Sequence, residues 1–268
     1  WPGRADGKGS SLEGIDPQLD LNNPSNWNSS IRYQGTPGDG IGRAPAVVIN
    51  EVLAHSDLPL EDAIELHNLS QESVDIGGWF LSDNANNLSK YRIPDDTTIS
   101  PGGYVVFYEQ AFMLENDESG FSLSSARGDE VWLTEVDLDG EPARFSDKID
   151  FGPSANGVSL GRFPNGTGPF VAMVDLSFGS PVRAGHDSSL TASFRAGKGA
   201  PNTGPLVGPI VISEIMYAPT EGLAEYVVLK NISDVTVPFF DPANPSNTWE
   251  LANAIEFTFP PDFVLPAG

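Results

Sequence analysis

Val48-Ile49-Asn50-Glu51-Val52-Leu53, followed by Ile64-Glu65-Leu66-His67-Asn68-Leu69-Ser70, is the stretch that decides the fold. It returns 163 residues later as Val211-Ile212-Ser213-Glu214-Ile215-Met216 and Val227-Val228-Leu229-Lys230-Asn231-Ile232-Ser233. Apolar residues recur at every second position, which is the period of a half-buried strand. A pattern repeated at one constant offset marks a repeated module. A fainter echo joins Ser11-Leu12-Glu13 and Gly35-Thr36-Pro37 to Ser159-Leu160-Gly161 and Gly179-Ser180-Pro181. The chain therefore divides into the tail of one module with a Gly/Pro linker (1–44), a complete module (45–180), a linker (181–208) and the head of a further module (209–268). Residues 210 to 268 align with the complete module up to Gly102 or Gly103, so this last unit is expected to be a partial sandwich, poorly packed and protease-sensitive. Docking of residues 1–34 onto it is the lesser alternative.

Composition narrows the function. The chain has 268 residues, 37 Asp plus Glu against 14 Lys plus Arg, a formal charge of −23 and no cysteine. A surface so acidic repels phosphate backbones, because nucleic-acid affinity rests on Lys and Arg displacing counterions. Without cysteine there are no disulfides, thiolate metal sites or cysteine nucleophiles. No stretch approaches the roughly 18 apolar residues of a membrane span. Five glycosylation sequons, at Asn28, Asn68, Asn87, Asn165 and Asn231, are what an Asn- and Ser-rich chain yields by chance.

Short β-branched and aromatic runs alternate with Gly, Pro, Asn and Asp clusters, so the fold class is all-β, an antiparallel sandwich or barrel. The expected strands are Ala46–Leu53, Ala63–Leu69, Gly78–Ser82, Tyr91–Ile93, Gly103–Tyr108, Glu130–Val136, Ala143–Ile149 and Val158–Phe163. Only Glu109–Glu115 has helical character. Trp79, Val105, Phe107, Val131, Leu133 and Leu160 are expected in one core. The segments Gly35–Pro45 and Val182–Pro209 are rich in Gly, Pro, Ser and Ala, which predicts mobile or loosely laid connections. Residues 1–34 are too short and polar to form a core alone.

Chemistry-bearing motifs are few. Gly157-Val158-Ser159-Leu160-Gly161 fits the nucleophile-elbow pattern, but that elbow needs a helix after the Ser. The following Arg162-Phe163-Pro164-Asn165-Gly166-Thr167-Gly168-Pro169 cannot supply one. Ser159 is therefore expected on the exposed face of a last strand. Of the three histidines, His55, His67 and His186, none shows metal or acid-base spacing, and His67 is placed on the outward phase of its strand. Asp83-Asn84-Ala85-Asn86-Asn87 and the pair Asp137 and Asp139 could offer oxygen ligands to Ca²⁺. Neither fits the twelve-residue calcium loop, and turn chemistry explains both. Glu51 and Glu214 stand apart. The period of two puts Glu51 on the face of Val47 and Ile49, where a carboxylate needs partners. An anchoring role follows. No catalytic, cofactor-binding or metal-binding residue is assigned.

In order, the motifs Val48-Ile49-Asn50-Glu51-Val52, Ile64-Glu65-Leu66-His67-Asn68, Val74-Asp75-Ile76-Gly77-Gly78-Trp79-Phe80-Leu81-Ser82-Asp83, Ile99-Ser100-Pro101-Gly102-Gly103-Tyr104-Val105-Val106-Phe107 and Gly128-Asp129-Glu130-Val131-Trp132-Leu133 resemble the bacterial form of the lamin tail domain. The later copy resembles it too, departing at Val228, where the first has Glu65, and at a Pro/Asn-rich insertion over 239–249. The resemblance implies an immunoglobulin-like sandwich without catalytic residues, found in tandem in large secreted or surface proteins.

The leading functional reading is a non-enzymatic extracellular scaffold, adhesion or protein-interaction module, with neighbouring domains or other proteins as partners. Alternatives are an accessory part of an enzyme, such as a kinase resembling spore-coat protein H, a nuclease or a phosphatase, and a carbohydrate-binding module using Trp132.

Overall fold

The structure, a computed structural model of the whole chain, describes all residues except 38–44, 59, 114–119, 179–193, 195–197 and 253–254. Two compact units are present, Trp1–Leu206 and Val207–Gly268. The first begins with the hairpin β1 (Leu12–Gly14) and β2 (Trp27–Ser29). Then come β3 (Val47–Leu53), β4 (Ala63–Asn68), β5 (Val74–Asp75), β6 (Phe80–Ser82), β7 (Tyr91–Arg92), β8 (Thr98–Ile99) and β9 (Tyr104–Tyr108). A single helical turn, α1 (Glu109–Phe112), precedes β10 (Asp129–Val136), β11 (Pro142–Phe151), β12 (Leu160–Arg162) and β13 (Phe170–Ala172).

Two antiparallel sheets make the sandwich, a five-stranded one in the order β13-β12-β3-β4-β9 and a four-stranded one in the order β11-β10-β6-β7. Inward residues of both meet in one core. Ile49, Val52, Ile64 and Leu66 from the first sheet pack with Leu81, Val131, Leu133 and Ile149 from the second. Phe107 is buried there, while Trp79, Val105 and Leu160 are partly buried and packed against it. The expected core thus forms, with the Trp79 indole at its margin. The two sheets are also clasped by polar groups. Beyond the last β3–β12 ladder pair, the Ile49 N–H donates to Asp147 Oδ2 at 2.8 Å, and Arg162 Nε donates to the Ile49 carbonyl at 2.8 Å. Arg162 closes the circuit on Asp147 at 2.8 Å.

Residues 1–34 are built into this unit. The Phe145 N–H donates to the Ile31 carbonyl at 2.7 Å and the Tyr33 N–H to the Ala143 carbonyl at 2.8 Å, so this segment extends the free edge of β11. Covering an edge removes a row of unpaired backbone groups from water. Arg4 lies over the Phe145 ring, Lys8 lies over Trp132, and Lys8 pairs with Glu130 at 3.2 Å. The tail is short of apolar residues and borrows the outer face of β10–β11, where Trp132, Phe145 and Leu88 form a second cluster with Tyr33 against it.

The connection expected to be loose after 182 is ordered where it is described. Phe194 is buried with Phe178, Leu53 and Leu176, and residues 202–206 run beside β13, with the Leu206 N–H donating to the Ala172 carbonyl at 2.6 Å. The Gly, Ala and Pro of this stretch suit close backbone approach: a Cβ on Gly199 would lie 2.4 Å from Glu65 Oε2. The first unit therefore closes at Leu206 rather than near 180. The Gly179-Ser180-Pro181 echo, His186, Leu190 and the end of the expected helix at Glu115 lie outside the described residues.

The second unit carries the hairpin β14 (Ile210–Met216) and β15 (Tyr226–Asn231), then β16 (Val237–Pro238), β17 (Phe240–Asp241), β18 (Asn244–Thr248), β19 (Glu250–Leu251), β20 (Phe257–Thr258) and β21 (Val264–Leu265). Its small core is Val237, Phe239 and Phe259. The 239–249 insertion folds as the β17–β18 hairpin, and its flanking aromatics Phe239 and Trp249 stack at 4.8 Å.

Trp132 is wholly buried, whereas the Trp79 indole is only partly so. Trp132→Ala is expected to cost about 3–5 kcal/mol and Trp79→Ala clearly less. Urea denaturation of the two variants checks the order. A reversed ranking would mean that the outer cluster under residues 1–34 contributes little.

Candidate functional site

The chemistry-rich part of the molecule lies where β3 changes phase. Ile49 pairs with Leu66, yet Glu51 pairs with Glu65, so one residue, Asn50, is extra. Such a β-bulge turns consecutive side chains to one face. Val47 and Ile49 point into the core before it, and Val52 and Ala54 after it. Asn50 and Glu51 are left together on the opposite face, beside Glu65. The period-of-two reading that put Glu51 with Val47 and Ile49 is therefore corrected: the bulge resets the alternation.

Both carboxylates are sealed, Glu51 and Glu65 each having 0% exposure. Glu51 is held by the hydroxyls of Ser159 and Ser177, both donating to it, and by the Ser177 N–H at 3.1 Å. Glu65 accepts from Asn50 Nδ2 at 2.7 Å and from the Ala200 N–H at 3.1 Å. Asn50 Oδ1 in turn accepts from the Gly166 N–H at 2.9 Å. Asn202 reaches in from the returning segment, donating through Nδ2 to the carbonyls of Asn50 at 3.0 Å and Arg162 at 2.9 Å. Its own N–H donates to Asn165 Oδ1 at 2.8 Å. The cluster ties β3, β4, β12, the loop after β12 and the stretch 198–202 into one piece.

This arrangement settles the elbow motif. Ser159 is buried, not exposed, and its hydroxyl is committed to Glu51. The motif's glycines have structural reasons. Gly157 takes φ of 70°, and a Cβ on Gly161 would lie 2.7 Å from Asn202 Nδ2. Turn conformation and close approach, rather than nucleophile presentation, account for the spacing.

Electrostatically the pair is unusual. Burial pushes the Glu51 carboxyl up to about 7, partly opposed by its serine donors. Burial also pushes Glu65 well above the ordinary carboxylate range, and the Glu51 charge adds to the rise. Like charges on facing residues in a dry site favour a proton between them. A protonated carboxyl there is a hydrogen-bond donor with no route to a substrate, so what the site can do is hold the fold together. Burial also pushes the Asp62 carboxyl up, to about 6, opposed by the Ser56 hydroxyl that donates to it at 2.7 Å.

The other sequence candidates fall elsewhere. His67 is buried, not outward: it stacks on Tyr104 at 4.2 Å and its Nδ1 lies 3.0 Å from the Gly103 carbonyl, and burial lowers its pKa. His55 sits beside the Ser154 carbonyl at 3.0 Å. Asn84 Oδ1 accepts from the Asn86 N–H at 2.8 Å, Asp83 pairs with Lys90, and Asp137 Oδ1 accepts from the N–H groups of Asp139 and Glu141. These oxygens serve turns, and among the described residues no three His, Cys, Asp or Glu are grouped as metal ligands. Trp132, the glycan candidate, is buried under residues 1–34 and cannot present its ring. Glu214 departs from Glu51: it is exposed and accepts from the Tyr226 hydroxyl at 2.5 Å. Asn50, Asn202 and Ser177 went unassigned in the sequence. The signal for the two asparagines was the Asn beside Glu51 and the Gly-Ala-Pro-Asn run at 199–202; Ser177 carried none.

Residues 43–143 match the Lamin Tail Domain family. No curated protein and no solved structure matches the chain. The sheets described above, with little helix among the described residues, agree with the immunoglobulin-like sandwich of that family. No helix among the described residues is long and apolar enough to cross a membrane.

A carboxyl whose folded pKa is raised stabilises the fold fully below its unfolded value and loses that contribution as pH rises through the folded value. For Glu51 the window runs from its ordinary 4.5 to about 7. Wild-type stability is expected to fall across it by about 3 kcal/mol. Glu65 adds a fall of the same sign. Glu51→Gln should remove the Glu51 share. Urea denaturation at pH 5, 6, 7 and 8 measures both, and parallel curves would show that Glu51 is ionised in the fold.

Proposed function

We propose that this chain, whose residues 43–143 match the Lamin Tail Domain family, serves as a non-enzymatic scaffold and protein-interaction element in a larger multidomain protein that acts outside the cell or at its surface. One observation carries the reading. The segment 1–34, whose β1–β2 hairpin echoes the β12–β13 hairpin at the end of the complete module, is packed along the β11 edge and over Trp132. A tail docked in this way would hold a preceding module at a fixed distance from this one. The residues used are those that anchor interfaces, aromatics overlain by Arg4 and Lys8. A repeat of the β3–β4 hairpin at β14–β15 adds a further module of the same type.

The acidic balance favours protein partners over nucleic acid. The extracellular or surface setting rests on the resemblance to bacterial tandem modules and on nothing in the site itself. Protease shaving of intact cells tests it: release of this region from whole cells is expected, and full protection with recovery in the cytosol would exclude it.

Spacing by docked tails has its own readout. The chain has no cysteine, so a dye on Asp6→Cys reports one place. Its anisotropy decay is expected to follow the slow tumbling of the first unit. A dominant nanosecond component, unchanged when Tyr33→Ala is added, would mean that the tail is undocked and that the scaffold reading has lost its support.

A further inference from the structure

The stretch 198–206 lies against the outer side of the five-stranded sheet without being one of its strands. Two sets of bonds hold it. At its start the Ala200 N–H donates to Glu65 Oε2 at 3.1 Å, and Asn202 Nδ2 donates to the carbonyls of Asn50 and Arg162. At its end the Gly204 carbonyl accepts from the Val174 N–H at 3.0 Å, Pro205 is bridged to Met173, and the Leu206 N–H donates to the Ala172 carbonyl. This end therefore covers the edge of β13, which is the outermost strand of the sheet among the described residues. A bare edge there would offer unpaired N–H and C=O groups to another strand.

What the stretch seals is a pair of like charges. Glu51 and Glu65 are partners across the β3–β4 ladder, both are buried, and every donor that reaches them is a hydroxyl, an amide or a backbone N–H. The other titratable side chains on the surrounding elements are His67 on β4, Tyr104 on β9, Arg162 on β12, Asp175 beside Ser177 and Lys198 at the start of the stretch. Arg162 is turned to Asp147, and Lys198 is exposed. Burial lowers the His67 pKa and raises that of Tyr104, whose hydroxyl accepts from Asn165 Nδ2. Among the described residues the one charge that acts on Glu65 is that of Glu51.

We propose that residues 198–206 are a pH-sensitive strap, closed over Glu51 and Glu65 while the pair holds its protons and released when both carboxyls ionise, which bares the edge of β13. Release hydrates the two charges and breaks only bonds outside the β3–β4 ladder, so it is a smaller event than unfolding of the sandwich. Its direction follows from linkage. Carboxyls raised in the closed state favour closure fully below their ordinary value, and that preference is lost as pH rises through the raised one. At Glu51 the window runs from 4.5 to about 7, and Glu65, raised well above the ordinary range, acts in the same direction. Within the window each pH unit multiplies the open population about tenfold for each group that ionises. Pairing of the β13 edge with another strand is thereby confined to the neutral and alkaline side.

The proposal goes beyond the scaffold reading and does not rest on it. Amide exchange of the full chain at pH 5, 6, 7 and 8, each rate divided by the intrinsic rate of that amide, tests it. Protection at Ala200, Asn202 and Leu206 is expected to fall about a hundredfold from pH 5 to pH 8 and to be insensitive to low urea. Ile64 and Leu66 of β4 should stay better protected at every pH. Glu51→Gln combined with Glu65→Gln keeps acceptors for Ser159, Asn50 and Ala200 while removing both charges, and should leave the protection of the strap level across the range. Asn202→Ala loses the bonds to the Asn50 and Arg162 carbonyls and should expose the strap already at pH 5, with Ile64 and Leu66 still protected. Strap amides that exchange together with those of β4 at every pH would overturn the proposal, because the segment would then open only when the unit unfolds. So would strap protection that is level with pH in the unmodified chain, or a fall of the same size in the doubly substituted one.

Discussion

The bulge at Asn50 is the constraint on which the first unit depends. One inserted residue lets Val47, Ile49, Val52 and Ala54 all reach the same core although their spacing is not a strict alternation. The same insertion gathers Asn50 and Glu51 against Glu65 on the other side of the sheet. Buried carboxylates without donors would cost several kcal/mol each. The fold meets that demand by drawing in Ser159 from the strand edge, Ser177 from after β13, and Ala200 with Asn202 from the returning segment. The polar cluster therefore determines where the chain must come back, and the stretch 198–206 belongs to the module because Glu65 and Asn50 need it.

A second clasp is shared by both units and explains an apparent sequence signal. Asn68 and Asn231 sit at the ends of β4 and β15, each donating to three carbonyls, while each Oδ1 accepts from the Ser two residues on. These are the asparagines of two sequons. Their side-chain amides are consumed in holding the next crossing strand, which leaves them unsuited to carry a glycan in the folded chain.

Much of the sandwich was legible because strand periodicity and turn residues act locally. Each expected strand of the complete module is present to within two residues at either end. The two-residue strands β5 and β8 and the three-residue β13 went unread, since so short a run carries no period. The errors at the site share one cause. Ser159, His67 and Glu51 were assigned faces by counting alternation along one strand, and the bulge, the overlying Tyr104 ring and the returning segment all come from elsewhere in the chain. The anchoring role of Glu51 was legible for a different reason: a carboxylate inside an apolar run demands donors whichever face it takes. Packing of residues 1–34 was not, because a polar segment shows no core of its own and borrows Trp132 and Phe145 from β10 and β11.

The two copies differ most at the cluster, and the difference follows from chemistry. In the first, Glu51 faces Glu65, so one ionisation suppresses the other and the pair holds protons that exposed carboxylates would release. In the second, Ser213 replaces Asn50 and Val228 replaces Glu65, leaving Glu214 alone with the Tyr226 hydroxyl on an exposed face. A single carboxylate with a phenol donor has no facing charge to resist. The two substitutions are thus coherent: Val228 asks for no donors of the kind that Asn50 and Ala200 supply to Glu65 in the first unit. What the second unit keeps is the bulge, between Ile212 and Glu214, and the Asn231 clasp.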